Sequence, residues 1–236
     1  MKCLLALGAS SDIGSRLIEK IYQDYDCIIA HYYGWNDNLS RIKEKCGDKL
    51  RFIEINLSDM NEVHKMIETI NNEGITPTHI VHFAMSKIAI NKFNKLSLDK
   101  MDLDWKICFD SFVTILQEYL PKMAKNKYGR VVFTLSSVTY NEPPKYEAGY
   151  VAIKYALLGL MKSLALEYED KGICINGVSP DMVNTGFISD IPELLVEQYA
   201  FTKENKHILT VDEVVPTFAS LLSDECNKNG ENILIS

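Results

Sequence analysis

Short apolar runs alternate with stretches of helical periodicity along most of the chain. Apolar runs at residues 2–7, 27–30, 51–55, 79–83, 130–135 and 173–178 each have the length of one strand, and residues 231–235 read as a last one. Between them apolar residues recur every three or four positions, as at Ile13, Leu17, Ile18 and Ile21. Apolar strands that alternate with helices form parallel sheets covered on both faces. The pattern therefore predicts a doubly wound, three-layer α/β/α fold.

Three residues that follow predicted strands mark the expected ligand site. In a doubly wound sheet, ligands bind outside the carboxyl ends of the strands, near the point where the strand order reverses. Gly8, Ser137 and Pro180 each follow, or end, a predicted strand segment. We therefore expect all three to face one crevice.

Size, charge and cysteine usage narrow the class of protein. The 236 residues, 47% of them hydrophobic, are enough for a full core, and we expect one domain, residues 1–236. A net charge of −7 argues against a nucleic-acid partner, because phosphate backbones select basic surfaces. No apolar run approaches the length that spans a bilayer, so we expect a cytoplasmic protein without a membrane partner. Cys3, Cys27 and Cys174 fall in predicted strands and no C-x-x-C pair occurs, so we expect neither structural disulfides nor a metal site.

A glycine turn follows the first predicted strand. Gly8 ends the run 2–7, and residues 8–14 lead into a helical pattern. The sequence of strand, glycine turn and helix N-terminus is suited to bind a phosphate. It offers backbone N–H groups and the positive end of the helix dipole. Two glycines alone are a weak signal, because many tight turns use them.

Tyr150 and Lys154 lie four residues apart in an apolar helical stretch, so they share one helix face. An ammonium ~4 Å from a phenol, at an effective dielectric constant of ~20, favours the phenolate by roughly 4 kcal/mol. This effect would bring the pKa of Tyr150 from ~10 towards neutrality. Ser137 could then hydrogen-bond a carbonyl or alcohol oxygen while Tyr150 exchanges a proton with it. Taken alone, a tyrosine on a helix is more often a packing residue.

Residues 8–14 together with Ser137, Tyr150, Lys154 and the segment 176–180 resemble the short-chain dehydrogenase/reductase family over nearly the whole chain. The separation between Ser137 and Tyr150 is the family's usual one. The resemblance is to the 3-oxoacyl-acyl-carrier-protein reductase branch. It implies a Rossmann-like fold and an NAD(P)(H)-dependent oxidoreductase that moves hydride between nicotinamide and a carbonyl or secondary alcohol.

The same resemblance assigns site residues. It implies that Ser137, Tyr150 and Lys154 are catalytic. It also implies a cofactor site made of Gly8, Ser10, Ser11, Asp12, Ile13, Gly14, His31, Tyr32, Asn56, Leu57, Ala84, Tyr150, Lys154, Pro180, Val183 and Thr185. The alternative is a degenerate member that keeps the fold and the trio, binds its cofactor weakly and serves as a binding or assembly subunit.

Several positions depart from the family pattern. Asp12 replaces a glycine and brings a carboxylate towards the pyrophosphate, although it could equally cap the helix. Met85 and Asp181 also replace glycines, the first near the nicotinamide ribose and the second at the substrate mouth. Cys108 falls where the family has an asparagine that anchors a water, and Asn56 replaces an aspartate beside the adenine.

The end of the second predicted strand bears on cofactor choice. Residues 30–36 contain no acid that could hydrogen-bond the ribose hydroxyls, as NAD enzymes require, and the first acid is Asp37. They also contain no arginine or lysine that would receive a 2′-phosphate. We expect a slight preference for NADP(H) over NAD(H). His31 is more often a polar residue at a strand end than a phosphate ligand.

Two further expectations concern the lid and assembly. Residues 186–206 should form a mobile lid over a small-molecule substrate, with candidate lining residues Phe187, Ile188, Leu194, Leu195, Tyr199 and Phe201. The segments 101–125 and 150–168 carry apolar residues around more than one stripe. In the family these helices pair with their two-fold mates, so we expect a homodimer or homotetramer. The alternative is a monomer whose surplus apolar residues lie under its own loops.

Overall fold

A seven-stranded parallel sheet organises the chain. The computed structural model describes residues 1–140, 142–201 and 207–236. The strands lie in the order β3-β2-β1-β4-β5-β6-β7, and every neighbouring pair is parallel. The order reverses between β1 and β4, where a crevice is expected at the carboxyl ends. The strands are β1 (Cys3–Leu7), β2 (Cys27–Tyr32), β3 (Leu50–Glu54), β4 (His79–His82), β5 (Gly129–Thr134), β6 (Ile173–Pro180) and β7 (Asn232–Ile235).

Helices cover both faces of the sheet. One core lies between the sheet and α1, α2 and α8, and a second lies between the sheet and α3, α5 and α6. The predicted doubly wound, three-layer α/β/α fold is therefore confirmed. The helices are α1 (Asp12–Ile21), α2 (Asp37–Cys46), α3 (Met60–Asn72), α4 (Leu98–Trp105), α5 (Ser111–Asn126), α6 (Ala148–Glu167), α7 (Glu193–Phe201) and α8 (Val211–Leu221).

Strand β1 shows how one apolar run serves both cores. All five of its residues are buried. Leu5 and Leu7 belong to the core under α3, α5 and α6, whereas Leu4 and Ala6 belong to the core under α1, α2 and α8. Successive side chains of a strand point to opposite faces, so a continuous apolar run fits only a sheet covered on both sides. Each buried leucine contributes roughly 1.5–3 kcal/mol.

All the predicted strands appear, with slightly different ends. Strand β2 continues to Tyr32 because its pairing with β3 continues to Glu54. Strand β6 continues to Pro180 because its pairing with β7 reaches Ile235. Sequence patterns miss these extensions because the ends are fixed by the neighbouring strand rather than by hydrophobicity.

Helix α6 is long and apolar enough to cross a membrane, judged by length and composition alone. The expectation that no apolar run approaches this length is therefore wrong by that criterion. A single such helix is weak support for a membrane span, because the core helix of a soluble protein passes the same test. Only 28% of the most apolar 18-residue stretch of α6 is buried within the chain, so much of the helix surface is left for other contacts.

A π-helical turn, Lys106–Asp110, joins α4 to α5. Its Ile107 carbonyl accepts hydrogen bonds from His82 Nε2 at 3.1 Å and from Ser111 Oγ at 2.6 Å. Because a carbonyl only accepts, Nε2 of the buried His82 carries a proton. The turn is therefore anchored to the end of β4.

Candidate active site

A cleft of about 980 Å³ opens at the carboxyl ends of the central strands. Gly8, Ser137 and Pro180 all line it, as their positions after strands predict. One wall is the face of α6 that carries Tyr150 and Lys154. Most of the predicted cofactor residues line it as well: Gly8, Ser10, Ser11, Asp12, Ile13, His31, Asn56, Leu57, Ala84, Tyr150, Lys154, Pro180, Val183 and Thr185.

The glycine turn is built around a close backbone approach. Gly8 has φ +82°, and a Cβ atom added there would lie 2.6 Å from the backbone nitrogen of Ala84. Only glycine fits this combination of positive φ and close contact. Ser11 is the N-cap of α1, and its Oγ accepts from the Gly14 N–H at 3.0 Å and donates to the Gly8 carbonyl at 2.8 Å. The turn is thus held rigidly against the start of α1.

The side chain of His31 holds the same turn in place through hydrogen bonds. Its Nδ1 accepts from the Gly8 N–H at 3.1 Å, and its Nε2 lies 3.1 Å from the Ile55 carbonyl. Nε2 must therefore be the protonated nitrogen. Burial lowers the pKa of His31 to about 4, so the ring is neutral at pH 7. His31 therefore stabilises the turn through hydrogen bonds. Because its ring is neutral, it offers no positive charge to a phosphate.

Two predicted cofactor residues do not line the cleft. The side chain of Tyr32 lies on the β3 side, where its hydroxyl is 3.3 Å from Glu54 Oε2 and its ring packs on Trp35 and Phe52. Strand alternation accounts for this, because His31 before it already faces the turn. Gly14 lies beneath the turn, where an added Cβ would be 2.6 Å from the Gly8 carbonyl oxygen. The structure therefore places these two residues apart from the other residues that are predicted to contact the cofactor.

Asp12 does not cap α1, since Ser11 does. Its carboxylate accepts from the backbone N–H of Gly186 at 2.7 Å and from Asn38 Nδ2 at 2.9 Å. It thereby bridges the start of α1 to the segment that follows β6. Three residues that line this end of the cleft are outside the predicted cofactor set, namely Tyr33, Asn36 and Asn38. The one available signal was Asn36 as a helix cap, which it is for α2.

Tyr150 and Lys154 differ from the expected electrostatics. Lys154 Nζ donates to the Thr134 carbonyl at 2.9 Å and lies 5.4 Å from the centroid of the Tyr150 ring. Burial raises the pKa of Tyr150, and a hydrogen bond with Ser136 opposes this only in part. Burial also lowers the pKa of Lys154. The expectation that Lys154 lowers the pKa of Tyr150 is therefore wrong in this structure, because desolvation of the phenolate dominates.

Ser137 lies in a short turn after β5 and is buried. Its Oγ donates to Asp181 Oδ1 at 3.1 Å. The same Oδ1 also accepts from the Met182 backbone N–H at 3.0 Å and from the hydroxyl of Tyr199. Asp181, the acid in a family glycine position, is therefore in direct contact with the predicted catalytic serine.

The predicted lid contributes only part of its apolar residues to the cleft. Phe187, Ile188 and Tyr199 line it. Leu194, Leu195 and Phe201 are exposed and do not line the cleft in this structure. Residues 202–206 of the predicted lid lie outside the described residues. Helix α7 carries apolar residues all round, so its sequence does not say which side faces inward.

The substrate end of the cleft also contains Glu147, one turn before Tyr150. Burial raises the pKa of its carboxyl group to about 7. Apolar side chains also line the cleft, among them Leu103, Ile107 and Phe187, and the Phe187 ring lies 6.2 Å from the Tyr150 ring. An apolar group next to the reacting carbonyl would therefore suit this part of the cleft better than a charged one.

The remaining departures have local explanations. Met85 lines the cleft, so its side chain does occupy space there. Cys108 is buried in the π turn with its Sγ 3.6 Å from the Ala84 carbonyl, and burial raises the pKa of its thiol to about 12. Asn56 Oδ1 accepts from the Ser58 N–H at 3.0 Å and from the Ser58 hydroxyl at 2.8 Å. The amide therefore serves as a turn acceptor.

The residues of the cleft fit a dinucleotide. Such a ligand needs an anion-binding turn at one end and groups that act on the substrate at the other. The Gly8 turn, pressed against Ala84 and capped by Ser11, supplies the first, and the α6 face with Tyr150 and Lys154 supplies the second. The cleft runs continuously between them. Asp12 is the one charge in the turn that opposes a pyrophosphate.

Comparison with known proteins agrees with this geometry. A family model described as enoyl-(acyl carrier protein) reductase matches residues 8–235. The 3-oxoacyl-[acyl-carrier-protein] reductase FabG of Staphylococcus aureus (strain Mu50 / ATCC 700699) is 26% identical over 239 residues, covering 95% of this chain and 92% of that protein. FabG of Buchnera aphidicola subsp. Acyrthosiphon pisum (strain APS) is 25% identical over 225 residues, covering 93% of this chain and 89% of that protein.

Solved structures of similar fold include levodione reductase, with a TM-score of 0.90 at 19% identity, covering 100% of this chain and 96% of that one. A 3-oxoacyl (acyl-carrier-protein) reductase from Agrobacterium tumefaciens C58 with NADP bound has a TM-score of 0.88 at 23% identity, covering 99% and 92%. At these identities the structures establish the shared fold. The family match over nearly the whole chain establishes the rest: the chain belongs to the short-chain dehydrogenase/reductase family of NAD(P)-dependent oxidoreductases.

Proposed function

We propose that this oxidoreductase interconverts a 3-oxoacyl thioester and its 3-hydroxy form, with Ser137, Tyr150 and Lys154 as its catalytic residues. The observation that carries the proposal is the shared cleft, in which Tyr150 and Lys154 face the Ser137 turn. When bound, the reduced nicotinamide supplies a hydride to the carbonyl carbon. Tyr150 gives the carbonyl oxygen a proton, so that a secondary alcohol leaves.

The raised pKa of Tyr150 suits the role of proton donor. A phenol that keeps its proton in the free enzyme can release it to an oxygen that becomes strongly basic as hydride arrives. Ser137 would donate to the same oxygen, and Lys154, fixed by the Thr134 carbonyl, would hold a positive charge beside the phenolate left behind. Each residue thus acts on charge that appears only during the reaction.

The substrate class is inferred from the relatives and the lining. The curated relatives in the comparison are 3-oxoacyl-[acyl-carrier-protein] reductases. Leu103, Ile107 and Phe187 offer an apolar wall to an acyl chain. Residues 1–236 would act as one domain, and this is supported by the presence of both the N-terminal β1 and the C-terminal β7 in a single sheet.

We infer a preference for NADP(H) at the adenosine end. Ser10, Tyr33, Asn36 and Asn38 line that region and present neutral polar groups. No acid stands at the end of β2 to repel a 2′-phosphate. The Asn36 amide uses one proton on the Ser10 carbonyl and has a second that can be donated to a phosphate. The preference should be modest, because no arginine or lysine lies within residues 30–36.

The proposal also includes a cytoplasmic homodimer or homotetramer. Val151 and Leu158 of α6 are only partly buried, and Leu166 is 75% exposed. A second copy would cover this apolar surface. Ile153, Leu157 and Met161 of α6 pack in the core against the sheet, which favours a core helix over a membrane span and supports the cytoplasmic location.

Parallel thermal-shift titrations with NADPH and NADH test the proposal first. A nucleotide at 100 times its Kd should stabilise the protein by about 2.7 kcal/mol, and NADPH should reach that effect at the lower concentration. ATP at matched ionic strength controls for general anion binding. NADPH oxidation with acetoacetyl-CoA then tests turnover. A protein stabilised by neither dinucleotide would favour the binding-subunit alternative.

A further inference from the structure

The carboxyl group of Glu147 lies in the cleft without a partner from the protein. Glu147 lines the cleft together with Tyr150, three residues further on. Residues at this spacing on a helix have Cβ atoms about 5–6 Å apart, so Glu147 lies about one turn from the reacting oxygen. Among the residues that the structure describes, none donates a hydrogen bond to this carboxyl group or forms an ion pair with it. Burial is therefore the one cause that raises its pKa to about 7.

The start of α6 offers this carboxyl group a partner that it does not use. Glu147 is the N-cap residue of α6, where a side-chain oxygen can accept from a free N–H group of the first helical turn. Its side chain makes no such hydrogen bond. An acid at this end would also interact favourably with the helix dipole. The carboxyl group therefore lies in the cleft instead of capping the helix.

A strained residue sets the position of Glu147. Tyr146, directly before it, has φ +71°, a left-handed conformation that costs a bulky residue free energy. The Tyr146 side chain is 51% exposed, so packing of its ring does little to offset this strain. The backbone N–H of Asn91, in the segment that follows β4, donates to the Tyr146 carbonyl at 2.8 Å. The strained turn is thus held in place, and it fixes the direction in which the chain enters α6.

A bound substrate must replace the water that reaches this carboxyl group. In the free protein only solvent in the cleft can donate to it. A ligand that displaces this solvent and offers no donor leaves a buried acceptor unsatisfied, which weakens binding. An N–H group would satisfy the acceptor whether the carboxyl group is protonated or ionised, because both forms keep an accepting oxygen. The apolar lining of the cleft favours a neutral donor over an ammonium group.

We propose that Glu147 is a specificity-determining residue that accepts a hydrogen bond from a neutral N–H group of the substrate. In a 3-oxoacyl thioester this group is the first amide of the pantetheine arm, one ethylene unit beyond the sulfur atom. Glu147 therefore selects thioesters whose arm carries that N–H group. The inference rests on the proposed function and names the part of the substrate that this side chain recognises.

Two acetoacetyl thioesters that differ only in this N–H group test the role of Glu147. One carries an N-acetylcysteamine arm, and in the other an ester oxygen replaces the amide N–H. With NADPH as reductant, the wild-type kcat/KM should be about tenfold higher for the amide, mainly through a lower KM. Glu147→Met removes the acceptor at similar length and should bring the ratio of the two values close to one. Glu147→Gln keeps an accepting oxygen and should hold the ratio within about threefold of wild type.

The matched control is Glu167→Met, which replaces an exposed acid at the other end of the same helix and should leave the ratio unchanged. Two results would overturn the inference. One is a wild-type ratio below about threefold, and the other is a ratio that Glu147→Met leaves within about twofold of wild type. Stabilisation of each variant by NADPH, measured by thermal shift, shows that the variant is folded.

The melting temperature of the free protein is a second readout, and it needs no catalysis. At pH 8 the desolvated carboxyl group of Glu147 is mostly ionised, so Glu147→Met should melt at or above the wild-type temperature. A fall of more than about 4 °C would show that the carboxyl group serves the fold, and it would overturn the inference. Wild-type protein that reduces both thioesters equally well would refute only the role of Glu147. Wild-type protein that binds NADPH but reduces neither thioester would refute the proposed function itself.

Discussion

At the scale of single residues, Tyr150 shows what spacing can and cannot predict. The four-residue separation correctly places Tyr150 and Lys154 on one face of α6, because helix geometry fixes it. The direction of the pKa shift of Tyr150 depends on its burial and on the group to which Lys154 donates, which is the Thr134 carbonyl. Neither is encoded in the spacing.

Replacing Tyr150 with phenylalanine should separate binding from chemistry. Tyr150→Phe removes the transferable proton and leaves the ring, so NADPH binding should remain while kcat falls at least about 100-fold. Stopped-flow or steady-state NADPH oxidation measures the loss, and thermal shift measures binding. Tyr155→Phe, an exposed tyrosine on the same helix, is the control. Undiminished turnover in Tyr150→Phe would remove this residue from the mechanism.

Cofactor preference should respond to one tyrosine and not to its neighbour. Tyr33 lines the cleft, whereas Tyr32 points to the β3 side. Tyr33→Asp should repel the 2′-phosphate and accept from the ribose, changing the NADPH to NADH ratio of Kd values by about tenfold in favour of NADH. Tyr32→Asp should leave the ratio nearly unchanged. An equal shift in both variants would contradict the orientation of these side chains.

At the scale of elements, the apolar strands were predictable and the lid was not. Strands such as β1 are apolar on both faces, and that pattern fits only the interior of a covered sheet. Helix α7 lacks a polar side, so its sequence could not distinguish the inward Tyr199 from the exposed Leu194, Leu195 and Phe201. Residues that line the cleft from a loop, such as Tyr33, follow no periodicity at all.

The negative charge of Asp12 should weaken cofactor binding. The carboxylate joins the start of α1 to the segment after β6 and lies where a pyrophosphate would approach the helix end. Asp12→Asn keeps an oxygen for the Gly186 N–H but removes the charge. We expect the Kd for NADPH to fall about tenfold at low salt and less at high salt. Fluorescence titration measures it, with Asp24→Asn, an exposed acid beyond the far end of α1, as the control. Unchanged affinity would mean that the charge is already neutralised by its partners.

At the scale of the whole molecule, buried histidines should set the acid limit of stability. Burial lowers the pKa of His31 to about 4 and the pKa values of His79 and His82 to about 3. The unfolded chain binds these protons below pH ~6.5 and the folded chain does not, so the free energy of unfolding falls as pH drops from ~6.5 towards ~4. Each of these three histidines should lower the free energy of unfolding by about 2 kcal/mol at pH 5.

Denaturant unfolding at pH 7 and pH 5 checks this expectation. His82→Gln keeps a donor for the Ile107 carbonyl but cannot titrate, so its loss of stability between the two pH values should be smaller by about 2 kcal/mol. His64→Gln replaces an exposed histidine and should keep the wild-type slope. A wild-type protein equally stable at both pH values would contradict the buried neutral rings.

The outer face of α6 should form contacts between subunits. Part of the expected apolar surplus is buried in the chain's own core, including Phe112 at 1% exposure, so a charge at Phe112 would unfold the protein rather than test an interface. Leu158 is only partly buried and is the better probe. Leu158→Glu should convert a dimer or tetramer into monomers of 26.8 kDa by light scattering, while Leu194→Glu on α7 should not. A wild-type monomer would refute the assembly.

The π turn between α4 and α5 limits how this segment can evolve. A π turn bonds residue i to i+5 instead of i+4, so it holds one residue more than the α-helical turn it interrupts. Against a relative whose helix is uninterrupted here, an ungapped alignment is out of phase by one position on one side of the turn, and this would shift the match of Cys108 to the family asparagine. Loss of a single codon within Lys106–Asp110 would convert the turn into a plain α-helical turn with both flanks still in phase, whereas gain of a codon would rotate one flank by about 100° against the sheet. Lineages of this protein should therefore accept the loss of one residue in that stretch more readily than the gain of one.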